Sequence, residues 1–323
     1  MGRPKQTERW EYAVSKLTLM VTMVLVWLTG CGQAPEPHVI LEASCERCGR
    51  NEPVLDGCEQ CYELGSQAMA LTRPDVERAR NMYAKACRVH HPEACNALAE
   101  MCRDARGGPP DLPRAATLFG IACEKGPIQS ACTERGLALY DGEGIKADQE
   151  AAVTIFDSAC NHESDPQPKA CASLGIAYLE GNGVERRDED KAIDLIRRSC
   201  EADYAPGCVQ MGEMFAKRTR GSRKENLTTA SDSYDRACDI DARYGCFELA
   251  DMHKEGRAVD ASPEKAAIYY QRTCNIDPTR GCYEAAELMS SGKVEAREGE
   301  IAALYNVACE HGHNDACSRR SPE

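Results

Sequence analysis

The chain has 323 residues, with 52 acidic and 39 basic side chains and a formal net charge of −13. That balance excludes nucleic acid as the main partner and suits a solvated surface. Twenty cysteines against four phenylalanines describe a chain held by cross-links as much as by bulky core, which belongs in an oxidising compartment.

At the N-terminus, Arg3, Lys5, Arg9 and Lys16 precede an apolar run from Leu17 to Leu28. The run is shorter than the roughly 20 residues of a membrane-spanning helix and reads as a signal-peptide core. It closes on Leu28-Thr29-Gly30-Cys31, which resembles the bacterial lipobox, where small residues suit the peptidase and the Cys31 thiol carries a diacylglycerol. The expected order is a signal over 1–30, then a lipidated Cys31 with a linker to 44; a non-lipidated signal is the alternative. Next come Cys45-x-x-Cys48 and Cys58-x-x-Cys61. Their spacing fits either a zinc ribbon or two disulfides, and export favours a disulfide-tied cap over 45–60.

From Cys61 to Cys317 the chain repeats itself. The clearest copy runs from Cys171 through Leu174, Gly175, Tyr178, Gly181, Gly183 and Val184, then Lys191, Ala192, Leu195, Ile196 and Cys200. Two apolar runs at helical spacing flank a Gly-Asn-Gly turn. Openings recur at Cys61, Cys95, Cys132, Cys171, Cys208, Cys246 and Cys282, which predicts about seven helix–turn–helix units stacked on one another. The fold class is all-α, a right-handed α-solenoid over 61–317 with a tail at 318–323. Proline and acid at Pro74-Asp75, Asp111 to Pro113 and Ser262 to Glu264 mark helix starts.

Each second helix closes on a cysteine a short turn before the next opening one: Cys87/Cys95, Cys123/Cys132, Cys160/Cys171, Cys200/Cys208, Cys238/Cys246, Cys274/Cys282 and Cys309/Cys317. A helix that ends and returns antiparallel brings such pairs within the roughly 4.4–6.8 Å Cα separation of a disulfide. Local pairing is the expectation. Cys102 falls on a core position of its helix and reads as an inert buried thiol.

The pattern Leu-Gly-x-x-Tyr-x-x-Gly-x-Gly-Val followed by Lys-Ala resembles the Sel-one-like repeat, a relative of the tetratricopeptide repeat. The cysteine at both ends of each junction is similar to the Hcp family of cysteine-rich secreted bacterial proteins. That second resemblance implies penicillin binding or β-lactamase-like hydrolysis as the alternative function. The residues give it little: Ser262-Pro-Glu-Lys265 reads as a helix cap, Ser231-Asp232-Ser233 departs from the serine-enzyme motif, and Lys-Thr-Gly is absent. His311-Gly-His313 reads as turn filler rather than a metal pair, and no cofactor is called for.

The first-helix offsets +2, +5 and +9 from each opening cysteine share one face. They hold twelve acids in 21 positions and one base, Lys217. By resemblance to tetratricopeptide solenoids this stripe lines a concave groove, with Glu63, Glu100, Glu134, Glu213, Glu248, Asp251, Glu284 and Glu287 as binding residues. The implied function is an envelope-anchored scaffold for a basic protein or peptide, touching the membrane only through its lipid. Offset +4 is always small (Gly65, Ala99, Gly136, Gly175, Gly212, Ala250, Ala286), which lets helices approach closely. A basic turn, Lys217 to Lys224, is expected to fold toward Glu248, Asp251 and Glu255.

Overall fold

The computed structural model describes Cys45, Cys48 and residues 55–319 apart from 127 and 258. The expected signal segment 1–30, the expected lipidation residue Cys31 and the expected linker to 44 lie outside the described residues. Among the described residues fifteen α-helices follow in order: α1 (Leu55–Met69), α2 (Val76–Cys87), α3 (Pro92–Arg103), α4 (Leu112–Lys125), α5 (Gln129–Asp141), α6 (Gln149–Cys160), α7 (Pro168–Glu180) and α8 (Glu189–Glu201). The second half holds α9 (Ala205–Lys217), α10 (Arg223–Ile240), α11 (Cys246–Glu255), α12 (Pro263–Cys274), α13 (Tyr283–Ser290), α14 (Glu300–Glu310) and α15 (Asn314–Arg319), with a π-helical turn over Pro278–Cys282 leading into α13. No strand occurs among the described residues. Odd helices up to α13 are the first of each pair, here A; even helices are the second, here B.

Local chemistry starts and stops these helices. Six B helices open on a side-chain cap: Asp75, Asp111, Asp148, Asp188, Ser222 and Ser262 each accept the N–H three residues on. Helices α5, α7 and α11 end on glycines in the left-handed region, Gly142, Gly181 and Gly256.

Each pair is locked by one side chain of its B helix. Four residues before every closing cysteine stands a large group: Tyr83, Phe119, Phe156, Ile196, Tyr234, Tyr270 or Tyr305, all buried. It faces the small +4 residue of its own A helix. A Cβ on Gly65, Gly136, Gly175 or Gly212 would lie 2.6 Å from Tyr83, Phe156, Ile196 or Tyr234 respectively. The glycines are therefore the holes into which the B-helix groups fit. The core is accordingly a chain of local clusters along the array, as expected where each repeat touches only its neighbours.

Junctions are equally tight. The residue before each closing cysteine and the residue before the next opening one pack together, usually as two alanines. Where the first is larger, the second is glycine: a Cβ on Gly207 would meet the Ser199 hydroxyl at 2.3 Å, and one on Gly281 would meet the Thr273 hydroxyl at 2.4 Å. Cys87–Cys95, Cys123–Cys132, Cys160–Cys171, Cys200–Cys208, Cys238–Cys246, Cys274–Cys282 and Cys309–Cys317 are disulfides, with Cα separations of 4.5–4.8 Å.

The N-terminal cysteines pair across their motifs, Cys45 with Cys61 and Cys48 with Cys58. Two nested bridges leave no thiolate there for zinc. Cys58 and Cys61 both lie on α1, so the expected cap boundary at 60 falls inside the first A helix. At the other end α15 covers the seventh pair and buries Ala316.

Candidate functional site

The A-helix carboxylates fall into four groups by what they touch. The first holds a repeat together from within. Asp251 accepts the Tyr270 hydroxyl, and Glu287 accepts the Tyr305 hydroxyl at 2.6 Å. Both tyrosines are the B-helix groups that fill the pairs. Burial, with Asp251 beside it, pushes the Tyr270 hydroxyl well above its ordinary value.

The second group bridges neighbouring A helices. Glu134 on α5 takes Arg103 of α3 at 2.8 Å and Lys169 of α7 at 2.7 Å. Glu284 takes Lys254 at 2.8 Å, Asp251 also meets Arg280 at 3.4 Å, and Arg319 of α15 reaches Glu287. Glu180 accepts the Tyr140 hydroxyl at 3.0 Å, where burial first and this carboxylate second push Tyr140 up to about 12. The Arg103 guanidinium beside Asp104 holds that carboxyl below its ordinary value. In the third group, within single helices, Glu213 pairs with Lys217 and Glu100 with Asn96, while Glu100 also lies 3.6 Å from Arg106 in the following turn.

Glu63 and Glu248 form the fourth group. Both are exposed, and neither has an ion pair among the described residues. The stripe is therefore largely a ladder of internal ion pairs, and two open carboxylates remain of the eight expected to form a groove. The bases that neutralise the stripe come mainly from adjacent repeats, beyond the reach of a count along one helix.

The basic turn departs from expectation. Arg218 pairs with Glu189 at 2.7 Å and Arg220 with Asp190 at 3.7 Å, so the turn lies back against the start of α8 instead of forward on Glu248, Asp251 and Glu255. Turns of successive repeats stack along one edge of a solenoid, and α8 begins beside the next turn along that edge. Asn226, 6% exposed, fixes the turn by donating to the Arg218 carbonyl at 3.3 Å and the Arg220 carbonyl at 2.9 Å.

The remaining candidates have structural roles. Ser262 accepts the Lys265 N–H as the cap of α12 and donates to Glu264 at 3.0 Å, so its hydroxyl is fully engaged. Ser231 and Ser233 are buried in α10. His313 accepts the Ala316 N–H at 3.2 Å and stacks on Tyr283, while His311 faces the Val307 carbonyl. His91 caps α3 and stacks on Tyr62 in the same way. Cys102 is the free cysteine among the described residues, fully buried, and burial pushes its thiol up.

An arginine two residues before the closing cysteine also escaped the sequence reading. Arg198, Arg236 and Arg272 donate to the Cys160, Glu201 and Cys238 carbonyls at 3.2, 3.2 and 3.0 Å. Each clamps the C-terminal end of the preceding B helix, where a cation offsets the unsatisfied carbonyls. The recurring Arg-x-Cys in three successive repeats was the available signal.

Known proteins match this architecture. A family model for the Sel1 repeat matches residues 57–90, 92–127, 129–164, 168–204 and 243–276, which is more than half of the chain. Cytochrome c oxidase assembly factor 7 of Xenopus tropicalis is 25% identical over 177 residues, 54% of this chain and 75% of that protein. Among solved structures, c5321, a protective antigen of uropathogenic Escherichia coli strains displaying an SLR fold, is 21% identical with a TM-score of 0.60, over 85% of this chain. The match spans 57% of the antigen's length. A Sel1 repeat protein from Oxalobacter formigenes is 19% identical with a TM-score of 0.60, over 79% of this chain and 99% of that one. Repeat five, with its basic turn, is skipped by the family match, yet its helices take the same places in the array. The chain belongs to the Sel1 repeat family.

Proposed function

We propose that this protein is an extracytoplasmic scaffold that holds a basic protein segment along the face formed by its A helices, with Glu63 and Glu248 as the carboxylates left open to it. Sel1 repeat proteins are generally protein–protein interaction scaffolds. The observation that carries the reading is the repetition of the same offsets on successive A helices, where +9 is exposed in every repeat and Glu63 and Glu248 are exposed at +2. Helices α5, α7 and α9 also approach one another directly, which supports the A row as the inner side of the array. Nine disulfides support residence outside the reducing cytoplasm. The lipobox-like Leu28 to Cys31 supports a lipid anchor there.

Because most stripe carboxylates already have partners, the field along the A row is weaker than their number implies, and single exposed charges contribute little. Binding is therefore modest, distributed and salt-dependent. Titration of an octalysine peptide against the mature protein tests it. The Glu63→Lys/Glu248→Lys variant is expected to bind at least about 10-fold more weakly, with its Tm nearly unchanged since neither residue has an ion pair to lose. A control with the same charge change on B helices, Glu77→Lys/Asp157→Lys, is expected to keep most of the affinity. Equal losses in the two variants would reduce the effect to net charge and sink the assignment.

A further inference from the structure

The edge between repeats four and five carries a surface of the opposite sign. Residues 217–224 hold five basic side chains and no acid, in a chain of net charge −13. The turn they form is built, not loose. Asn226 holds its backbone from a buried position, and the Arg218 guanidinium lies over the Phe215 ring at 5.3 Å while paired with Glu189. A cleft of about 340 Å³ opens beside it, walled by Leu179 and Met214 and edged by Arg187, Lys217, Arg218 and Arg220, with Glu189, Asp190 and Glu213 as the acids paired to that edge. The Lys217 and Arg220 side chains are 77% and 70% exposed, and Arg223 and Lys224 are exposed with no ion pair among the described residues.

We propose that this cleft is a second docking site, which takes an acidic protein segment carrying an apolar side chain. The carboxylates would meet the cationic edge, and the apolar group would rest on Leu179 and Met214. A concave site with an apolar wall fits a side chain better than a flat anionic membrane surface or a free phosphate, which would have no use for that wall. Opposite charge on the two surfaces lets one scaffold hold two unlike partners, or two unlike segments of one partner, with little cross-competition. The inference rests on the scaffold reading only in taking the occupant to be protein.

Fluorescence anisotropy on the intact, disulfide-bonded protein tests it, with a labelled octapeptide of alternating glutamate and leucine as probe. Saturable binding is expected, weakened at least 10-fold in Lys217→Glu/Arg220→Glu. Octalysine binding to that variant should not fall, so failure here is distinguishable from failure of the A-helix face. Unchanged binding in the variant would overturn the site. Equal binding of a probe with serine for leucine would overturn the role of the apolar wall. Capture of phosphatidylglycerol vesicles through Lys217 and Arg220, without peptide binding, would replace the protein segment by a membrane surface.

Discussion

Reduction of its disulfides is expected to unfold this protein at physiological temperature. Each junction bridge closes a loop of about nine residues, and the chain-entropy model assigns such a loop roughly 2.5 kcal/mol. Seven junction bridges together reach on the order of 15–20 kcal/mol, above the net stability of about 5–15 kcal/mol usual for a folded chain. Few bulky aromatics are present to compensate, and the array has no single core to hold an opened seam closed. The bridges join Cα atoms less than 5 Å apart at helix ends, so losing one loosens its own seam first. Circular dichroism in the presence of a strong reductant is expected to show most of the helical signal lost at 37 °C. A fully reduced chain, checked by thiol titration, that melts near the oxidised protein would refute this.

Phe156→Ala should have the largest effect of any single substitution in the array. Phe156 is fully buried, sits over Gly136, and meets the Tyr140 ring at a centroid distance of 6.0 Å. Truncation removes the group that fills repeat three, and a buried phenylalanine to alanine change costs about 3–5 kcal/mol. Neighbouring repeats relax poorly into such a hole because each is tied by its own bridges. The same geometry makes Gly136→Ala destabilising, since the new Cβ would lie 2.6 Å from the Phe156 ring. Combining Gly136→Ala with Phe156→Leu is expected to recover part of the loss, a coupling that denaturant titration of the four proteins reads directly. Additive losses would show that the two residues do not meet as described.

Much of this fold is written in spacing that a single strand of sequence displays. The cysteine register gives the repeat length, and the Gly-Asn-Gly turn at 181–183 separates the helices. The small residues at +4 announce a close approach within each pair. What they admit was less visible, because aromatic and aliphatic residues alternate at the matching B position, from Tyr83 to Ile196, and only burial and shape unite them. The acids were visible but their partners were not: Glu134 and Lys169 are 35 positions apart, and such contacts depend on how repeats stack. The direction of the basic turn was hidden for the same reason, since acids lie both before it, at Glu189 and Asp190, and after it, at Glu248 and Asp251. The nested pairing of Cys45 to Cys61 was open in the sequence, where two knuckles also suit a metal. The fold decides by placing Cys58 and Cys61 one turn apart on α1.

The claim that the A-helix face receives a basic partner is tested most directly by carboxylate footprinting. Carbodiimide coupling of an amine tag labels exposed carboxyl groups, and peptide mapping reads each one in the free protein and in its complex with octalysine. Glu63 and Glu248 are expected to label freely alone and to be protected in the complex, while Glu77 on α2 and Asp194 on α8 label equally in both states. Protection spread evenly over all exposed carboxylates, or confined to the B helices, would contradict the assignment of the docking face.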